Sequence, residues 1–261
     1  MAVWAVASQF TSEYTIPRIS TVVEEIVTVL TTADGLENLF TTLLRVGVGL
    51  VCAFAVGLGL GLLMGTTPRT APYLLPPVRF VQGIPSLSWV IIAVIWFSDV
   101  EIRIWFVMVL VTLPGFALQT YDSYRGIPAE LQDMGRSFRP GRWAMFREIT
   151  LPAIAPDVFT AWKVNLGLGI RMVLIAELVG ATVGVGAQLL SAQQLFDMAA
   201  VVAWTLLLAV CMLILQGVVE LIEKRVLRYR PGTDVGVTAA AAPTVVGAPV
   251  TPDLTAPTAK G

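Results

Sequence analysis

An all-α membrane protein of five to six transmembrane helices is the fold class this sequence predicts, on three observations. First, 56% of its 261 residues are hydrophobic and only 13% are charged, whereas a soluble domain carries roughly 45–50% apolar and about 25% charged residues. So little polar surface cannot cover a water-soluble globule. Second, the apolar residues are gathered into stretches of the length, about 20 residues, that a helix needs to span a bilayer. Third, acidic and basic residues sort into alternate connections between those stretches, as they do across a membrane.

The N-terminal Met1–Phe10 is apolar but too short to span, and it lacks the basic start of a signal peptide. It reads as the tail of a longer first helix that is cut short. In Ile19–Leu30, the residues Val22, Val23, Ile26, Val27 and Leu30 follow helical spacing, with Glu24, Glu25 and Thr28 opposite. That pattern predicts an acidic amphipathic helix at a membrane surface or against the bundle. Residues 1–38 are therefore expected to comprise a truncated first helix and an external amphipathic segment. Five spanning stretches follow: Leu39–Gly65, Leu74–Phe97 (interrupted by prolines), Ile102–Thr120, Val158–Val179 and Met198–Ile222. They make residues 39–231 a transmembrane domain containing a long polar loop, 121–156. Past Arg230-Pro231 the composition turns to Ala, Pro, Thr and Val without periodicity, so 232–261 is expected to be a disordered tail.

The first span holds Gly57, Gly61 and Gly65 at spacings of four. A small-residue stripe of this kind lets two helix backbones approach closely in lipid, and packing is its expected role. In the second span Gln82 and Gly83-Ile84-Pro85 form a break, tolerated where it faces a cavity. Kinks at Pro76, Pro77 and Pro85, with a secondary part in gating, are the simpler expectation.

Orientation follows from the flanking charges. Residues 11–38 set Glu13, Glu24, Glu25, Asp34 and Glu37 against Arg18, and the 180–197 connection carries Asp197 and no Lys or Arg. The opposite side carries Arg69, Arg79, Arg125, Arg136, Arg139, Arg142, Arg147, Lys224, Arg225, Arg228 and Arg230. By the positive-inside rule the 121–156 loop and the C-terminus are cytoplasmic, and the acidic N-terminal region is external.

Several chemistries are excluded. There is no histidine, which removes Ser-His-Asp and Cys-His catalysis and the HExxH zinc site. Cys52 and Cys211 sit singly inside apolar runs and are expected to be small buried residues rather than metal ligands or a disulfide. No GxxxxGK[ST] phosphate loop occurs, so this chain has no such route to ATP hydrolysis. A net charge of −1 offers no nucleic-acid partner. No cofactor is expected, and the surrounding partner is membrane lipid.

The polar loop has helices of its own. Pro128 at a first helical position, then Glu130, starts one, and Pro140-Gly141 ends it. A second amphipathic piece, Arg142–Ile149, leads to Leu151-Pro152. Ordinary connectors are about 4–6 residues, so a loop this long with its own helices points to docking. The run Asp133-Met-Gly-Arg-Ser-Phe138, followed by Phe146-Arg-Glu-Ile-Thr-Leu-Pro152 and Pro156, resembles the EAA loop of ABC-importer permeases. Ile16-Pro17, Gly83-Ile-Pro85, Ala176-Glu177 and Gly184-Val-Gly186 look like the nitrate/sulfonate/taurine branch of that family, over residues 15–231.

The resemblance implies a type I ABC-importer permease bundle. Its subunit would not itself be an enzyme and would be paired in a homodimer. Two copies of an ATP-binding cassette ATPase subunit would dock on a coupling helix at about 129–139, and an external solute-binding protein would deliver the solute. The residues it places at the ATPase are Glu130, Asp133, Met134, Gly135, Ser137, Phe138 and Arg139. Two departures stand out: Arg139 occupies the position of the family's glycine, and Gly135 replaces a second alanine. The latter weakens a helix by about 1 kcal/mol.

Ionisable groups at membrane depth are costly and usually face protein or a water-filled path. Lys163 lies near the cytoplasmic end of its span and can snorkel. Arg171 lies farther in, and Glu177, six residues on, is off its face. Arg171 either lines the translocation path, where its planar fork suits sulfonate, carboxylate or nitrate, or pairs with Glu177 or a partner-subunit helix. Glu177, Asn165 and Gln82 are the other path candidates. A secondary transporter or channel for small anions is the rival expectation, predicting more ionisable residues within spans and no docking loop. An intramembrane enzyme lacks a nucleophile–base pair.

Overall fold

Residues 17–138 and 141–227 are described by the computed structural model, and all of them fall in one compact unit. The N-terminal stub, Ile16, Arg139, Pro140 and the tail from 228 onward lie outside the described residues. Among the described residues every regular element is helical.

Helix α1 (Ile19–Thr31) folds back on α2 (Ala33–Thr66), packing against α2 and against the last long helix. The reversal is tight because Gly35 lies directly under the Val29 carbonyl, where a Cβ would collide. Helix α3 (Ala71–Gly83) and α4 (Ser86–Trp96) meet at a 92° bend. The proline-broken span of the sequence is therefore an angled pair. Pro76 and Pro77 lie inside α3, which continues through them; the corner is at Gly83-Ile84-Pro85, with Pro85 capping α4.

Asp99 caps α5 (Val100–Arg125) by accepting from the Ile102 amide at 3.0 Å. The loop helix α6 (Ala129–Ser137) follows, then α7 (Arg142–Met145), a π-helical turn (Phe146–Thr150) and α8 (Leu151–Leu178). From Trp143 to Leu178 these last pieces form one 36-residue rod that is long and apolar enough to cross a membrane. Helix α9 (Val185–Gln194) and α10 (Met198–Val226) complete the bundle, with Asp197 capping α10 through the Ala200 amide.

Among the described residues four helices qualify as spans, or five if the bent pair counts as one. The core lies where α2, α5 and α8 meet. There Val46, Leu50, Ala53, Met108, Phe116, Ile170 and Val173 are buried, and Phe54, Phe116 and Trp162 pack as an aromatic triad with centroids 5.3–5.6 Å apart. The glycine stripe does pack helices. Cβ atoms at Gly57, Gly61 and Gly65 would strike Phe116, Thr120 and Tyr124 of α5. Cys52, expected to be buried, is exposed in the isolated chain, and Cys211 is half-buried; both are free thiols. The large apolar side chains left exposed on α2, α4 and α10 are what a lipid-facing bundle requires.

Candidate functional site

A cavity of about 650 Å³ opens at the corner between α3 and α4, bounded by α5 and α8. Gln82 and the Gly83–Pro85 corner form one wall, with Ser86 and Trp89. The corner thus faces a cavity, the place where broken backbone is tolerated in membranes. The Trp89 indole reaches back across it to the Val81 carbonyl at 3.5 Å.

Gln119 and Asp122 of α5 and Thr160 and Asn165 of α8 form the other wall. Asn165 is 3% exposed. Its amide nitrogen donates to the Ala161 carbonyl at 2.9 Å. Its oxygen sits against Gly115, where a Cβ would approach it to 2.5 Å, and makes no hydrogen bond among the described residues. Gly115 thus admits the Asn165 amide, and the free carbonyl oxygen lines the cavity. Two of the path candidates, Gln82 and Asn165, are brought together here.

Arg171 does not line this cavity but continues its wall. It stands seven residues beyond Val164 and eleven beyond Thr160, which at 100° per residue puts all three within about 20° of one face. It is exposed and makes no ion pair or hydrogen bond among the described residues. An intramolecular pair with Glu177 is absent, because Glu177 is engaged elsewhere.

Glu177 is 0% exposed and lines no open space. Its carboxylate accepts from Arg45 Nη1 at 2.7 Å, from Thr42 Oγ1 at 2.9 Å and from the Gly186 amide at 2.9 Å. Arg45, itself 5% exposed, also donates to the Val183 carbonyl at 2.8 Å and pairs with Glu101 at the start of α5. On the same face of α2, Asn38 Oδ1 accepts from the Gly184 amide at 2.7 Å and Thr42 Oγ1 from the Val185 amide at 2.8 Å. Asn38, Thr42 and Arg45 recur at i, i+4 and i+7, so one helical stripe grips the 183–186 segment.

The node also explains Gly184-Val-Gly186. Gly184 has φ +128°, and a Cβ there would approach Glu177 Oε1 to 2.5 Å; one on Gly186 would approach the Glu177 Cβ as closely. Glu177, a path candidate from the sequence, thus sits in a sealed clamp joining α2, α5, α8 and α9 and is not among the residues lining the cavity. Lys163, expected to snorkel, instead forms an ion pair with Glu223 of α10 at 2.6 Å.

The polar loop, 121–156, is helical where the sequence places its helices. On α6, Glu130, Asp133, Met134 and Ser137 are exposed, Met134 by 56%, and Phe138 just beyond is 78% exposed. Trp143 of α7 adds a third exposed apolar side chain at 70%, with its ring 5.8 Å from that of Phe146. Gly135 is buried instead. It faces Ile149 and Met145, and a Cβ there would collide with Ile149 Cδ1. Its cost in helix propensity is therefore the condition for laying α6 against the π-turn.

The family model for the binding-protein-dependent transport system inner membrane component matches residues 57–228. The chain belongs to that family. The permease is 26% identical over 196 residues (74% of this chain, 70% of the relative) to SsuC of Bacillus subtilis, which is named for aliphatic sulfonates transport. It is 28% identical over 149 residues (57% and 54%) to the nitrate import permease protein NrtB of Synechocystis sp.. To the taurine transport system permease protein TauC of Escherichia coli it is 25% identical over 231 residues (85% and 83%). The match thus spans about half of the nitrate permease and most of the taurine one. Among solved structures, a chain of the MetNI methionine ABC transporter in inward-facing conformations aligns with TM-score 0.61 and 17% identity, covering 74% of this chain and 94% of that one. The fold is the type I importer permease bundle.

Sequence reasoning missed Arg45, Asn38, Gln119 and Asp122 in this permease. Arg45 carried a signal, as a charged group within a span on one face with Thr42, and Asn38 extends that face by one turn, just before the span begins. Gln119 and Asp122 carried none, because they sit where a span passes into its polar loop.

Proposed function

We propose that the permease forms the membrane path of an ATP-driven importer for a small anionic solute of the sulfonate, nitrate, taurine or carboxylate class. Two copies pair around a central path with the 121–156 loop and C-terminus in the cytoplasm. An ATP-binding cassette subunit docks on each α6, and an external binding protein delivers the solute. ATP binding turns the path outward and hydrolysis resets it; the permease makes and breaks no covalent bond.

The observation that carries the reading is the docking loop. Met134, Phe138 and Trp143 present exposed apolar side chains beside Glu130 and Asp133, next to a rod that runs unbroken from Trp143 to the clamp at Glu177. Large apolar groups on an otherwise polar loop form the core of an interface when a partner covers them. Motion at the dock reaches the outer end of the bundle through that rod. The relatives' names support the solute class, and Arg171 supplies a cation beyond the cavity, along the α8 face that lines it. Phe138→Ala together with Glu130→Lys should abolish copurification of the ATPase subunit and solute uptake while leaving the permease folded in the membrane. Intact copurification and uptake in that variant would refute the docking assignment.

A further inference from the structure

Among the described residues, the cavity at the α3–α4 corner carries charge of one sign only. Amides and hydroxyls make up its polar wall, Asp122 is the one ionisable group, and none of the described Lys or Arg residues lines it. Asp122 stands in the last turn of α5, where the partial negative end of the helix disfavours a carboxylate and favours a cation. Arg125, three residues on, is such a cation, but it turns to Tyr121, with Nη1 3.3 Å from the hydroxyl and the guanidinium carbon 5.7 Å from the ring centre. The Asp122 side chain is exposed and makes no hydrogen bond or ion pair among the described residues. An uncompensated carboxylate is thus held where local structure opposes it, at the edge of the cavity.

Its position along the path is equally specific. Gly115 and Asn165 pack directly against each other on one wall of the cavity. Asp122 lies seven residues from Gly115 toward the docking loop, about 10 Å, and Arg171 six residues from Asn165 the other way, about 9 Å. Cation and carboxylate therefore bracket the cavity some 20 Å apart, too far for one small solute to touch both.

We propose that Asp122 sets the charge selectivity of the cavity's inner mouth. While the cavity is open inward, it keeps cytoplasmic anions out of the path and hinders the released solute from rebinding. The inference rests on the import reading for which end is cytoplasmic. One unit charge about 6 Å from an ion, in a medium between protein and water, changes local anion occupancy by roughly three- to tenfold.

The test needs no knowledge of the solute. Thr160→Cys places a thiol on the cavity wall of a chain carrying Cys52→Ala and Cys211→Ala, assembled with its partners in inside-out membrane vesicles. Anionic sulfonatoethyl and cationic trimethylammonioethyl methanethiosulfonate are added, and each rate is normalised to that reagent's rate with a free thiol. With Asp122 present the cationic reagent should be favoured by about three- to tenfold. Asp122→Asn should abolish the preference, Asp122→Glu keep it and Asp122→Lys reverse it. A preference unchanged across that series, or a cysteine unreactive from the cytoplasmic face, overturns the proposal. Addition of ATP and vanadate gives a separate readout. Unchanged reactivity there counts against the import cycle, while the reagent ratio alone decides the role of Asp122.

Discussion

The clamp around Glu177 and the cavity around Asn165 are both polar sites inside the same helical bundle, and they treat polarity in opposite ways. In the clamp, every charge has a partner. Glu177 is met by Arg45, Thr42 and the Gly186 amide, and Arg45 by Glu101 and the Val183 carbonyl. In and beside the cavity, the Asn165 carbonyl, Asp122 and Arg171 are left without partners among the described residues. A buried charge is tolerated only when paired and hydrogen-bonded, so the clamp's polarity holds helices together. Groups left unpaired beside open space are available to whatever passes. The first site fixes one end of the bundle, and the second leaves polar groups open to a small molecule.

The contrast breaks most visibly at Arg45. Arg45→Met leaves the Glu177 carboxylate fully buried without its cation, and the permease should lose about 3–5 kcal/mol of stability. That loss would be read as a large fall in the detergent melting midpoint. Adding Glu177→Leu removes the orphaned charge and should recover part of the loss. A double variant no more stable than the single one would show that the clamp contributes through packing rather than charge.

A smaller effect is expected at Gly184. Gly184→Ala must hold an L-residue at φ +128° while its Cβ approaches the Glu177 carboxylate. Strain of this kind costs roughly 1–3 kcal/mol, visible as a lowered melting midpoint. An unchanged midpoint would mean the 183–186 segment can relax away from α2.

The smallest stability effect belongs to Arg171. Arg171→Gln removes an unpaired, exposed group, so its melting midpoint should stay within the change produced by about 0.5 kcal/mol. Uptake of an anionic solute, measured in vesicles with the assembled importer, should fall severalfold. Unchanged uptake with lowered stability would instead assign Arg171 to a helix of the second copy.

Much of the fold was legible in the sequence because lipid imposes a one-dimensional code. The spans and the helix after Pro128 depend on local composition and on residues a few positions apart. The 92° corner was half legible. Gly83-Ile84-Pro85 marked a break, but Pro76 and Pro77 marked one equally well, and only the neighbouring helices determine which proline sits at the corner. The helix of the polar loop was legible from Pro128 and Glu130, whereas the packing of Gly135 against Ile149 was not.

By itself the sequence determined an apolar helical bundle, its alternating connections and a helical polar loop, because burial in lipid and backbone hydrogen bonding act locally. Tertiary structure alone decided which polar residues meet. Arg45 finds Glu177 across 132 positions of chain, Lys163 finds Glu223, and Gln82 and Asn165 line one cavity. Such pairings depend on helix rotation and crossing, set by close contacts such as those of Gly57 and Gly61 with α5. No periodicity along a single helix reveals the side chain that another helix brings to it.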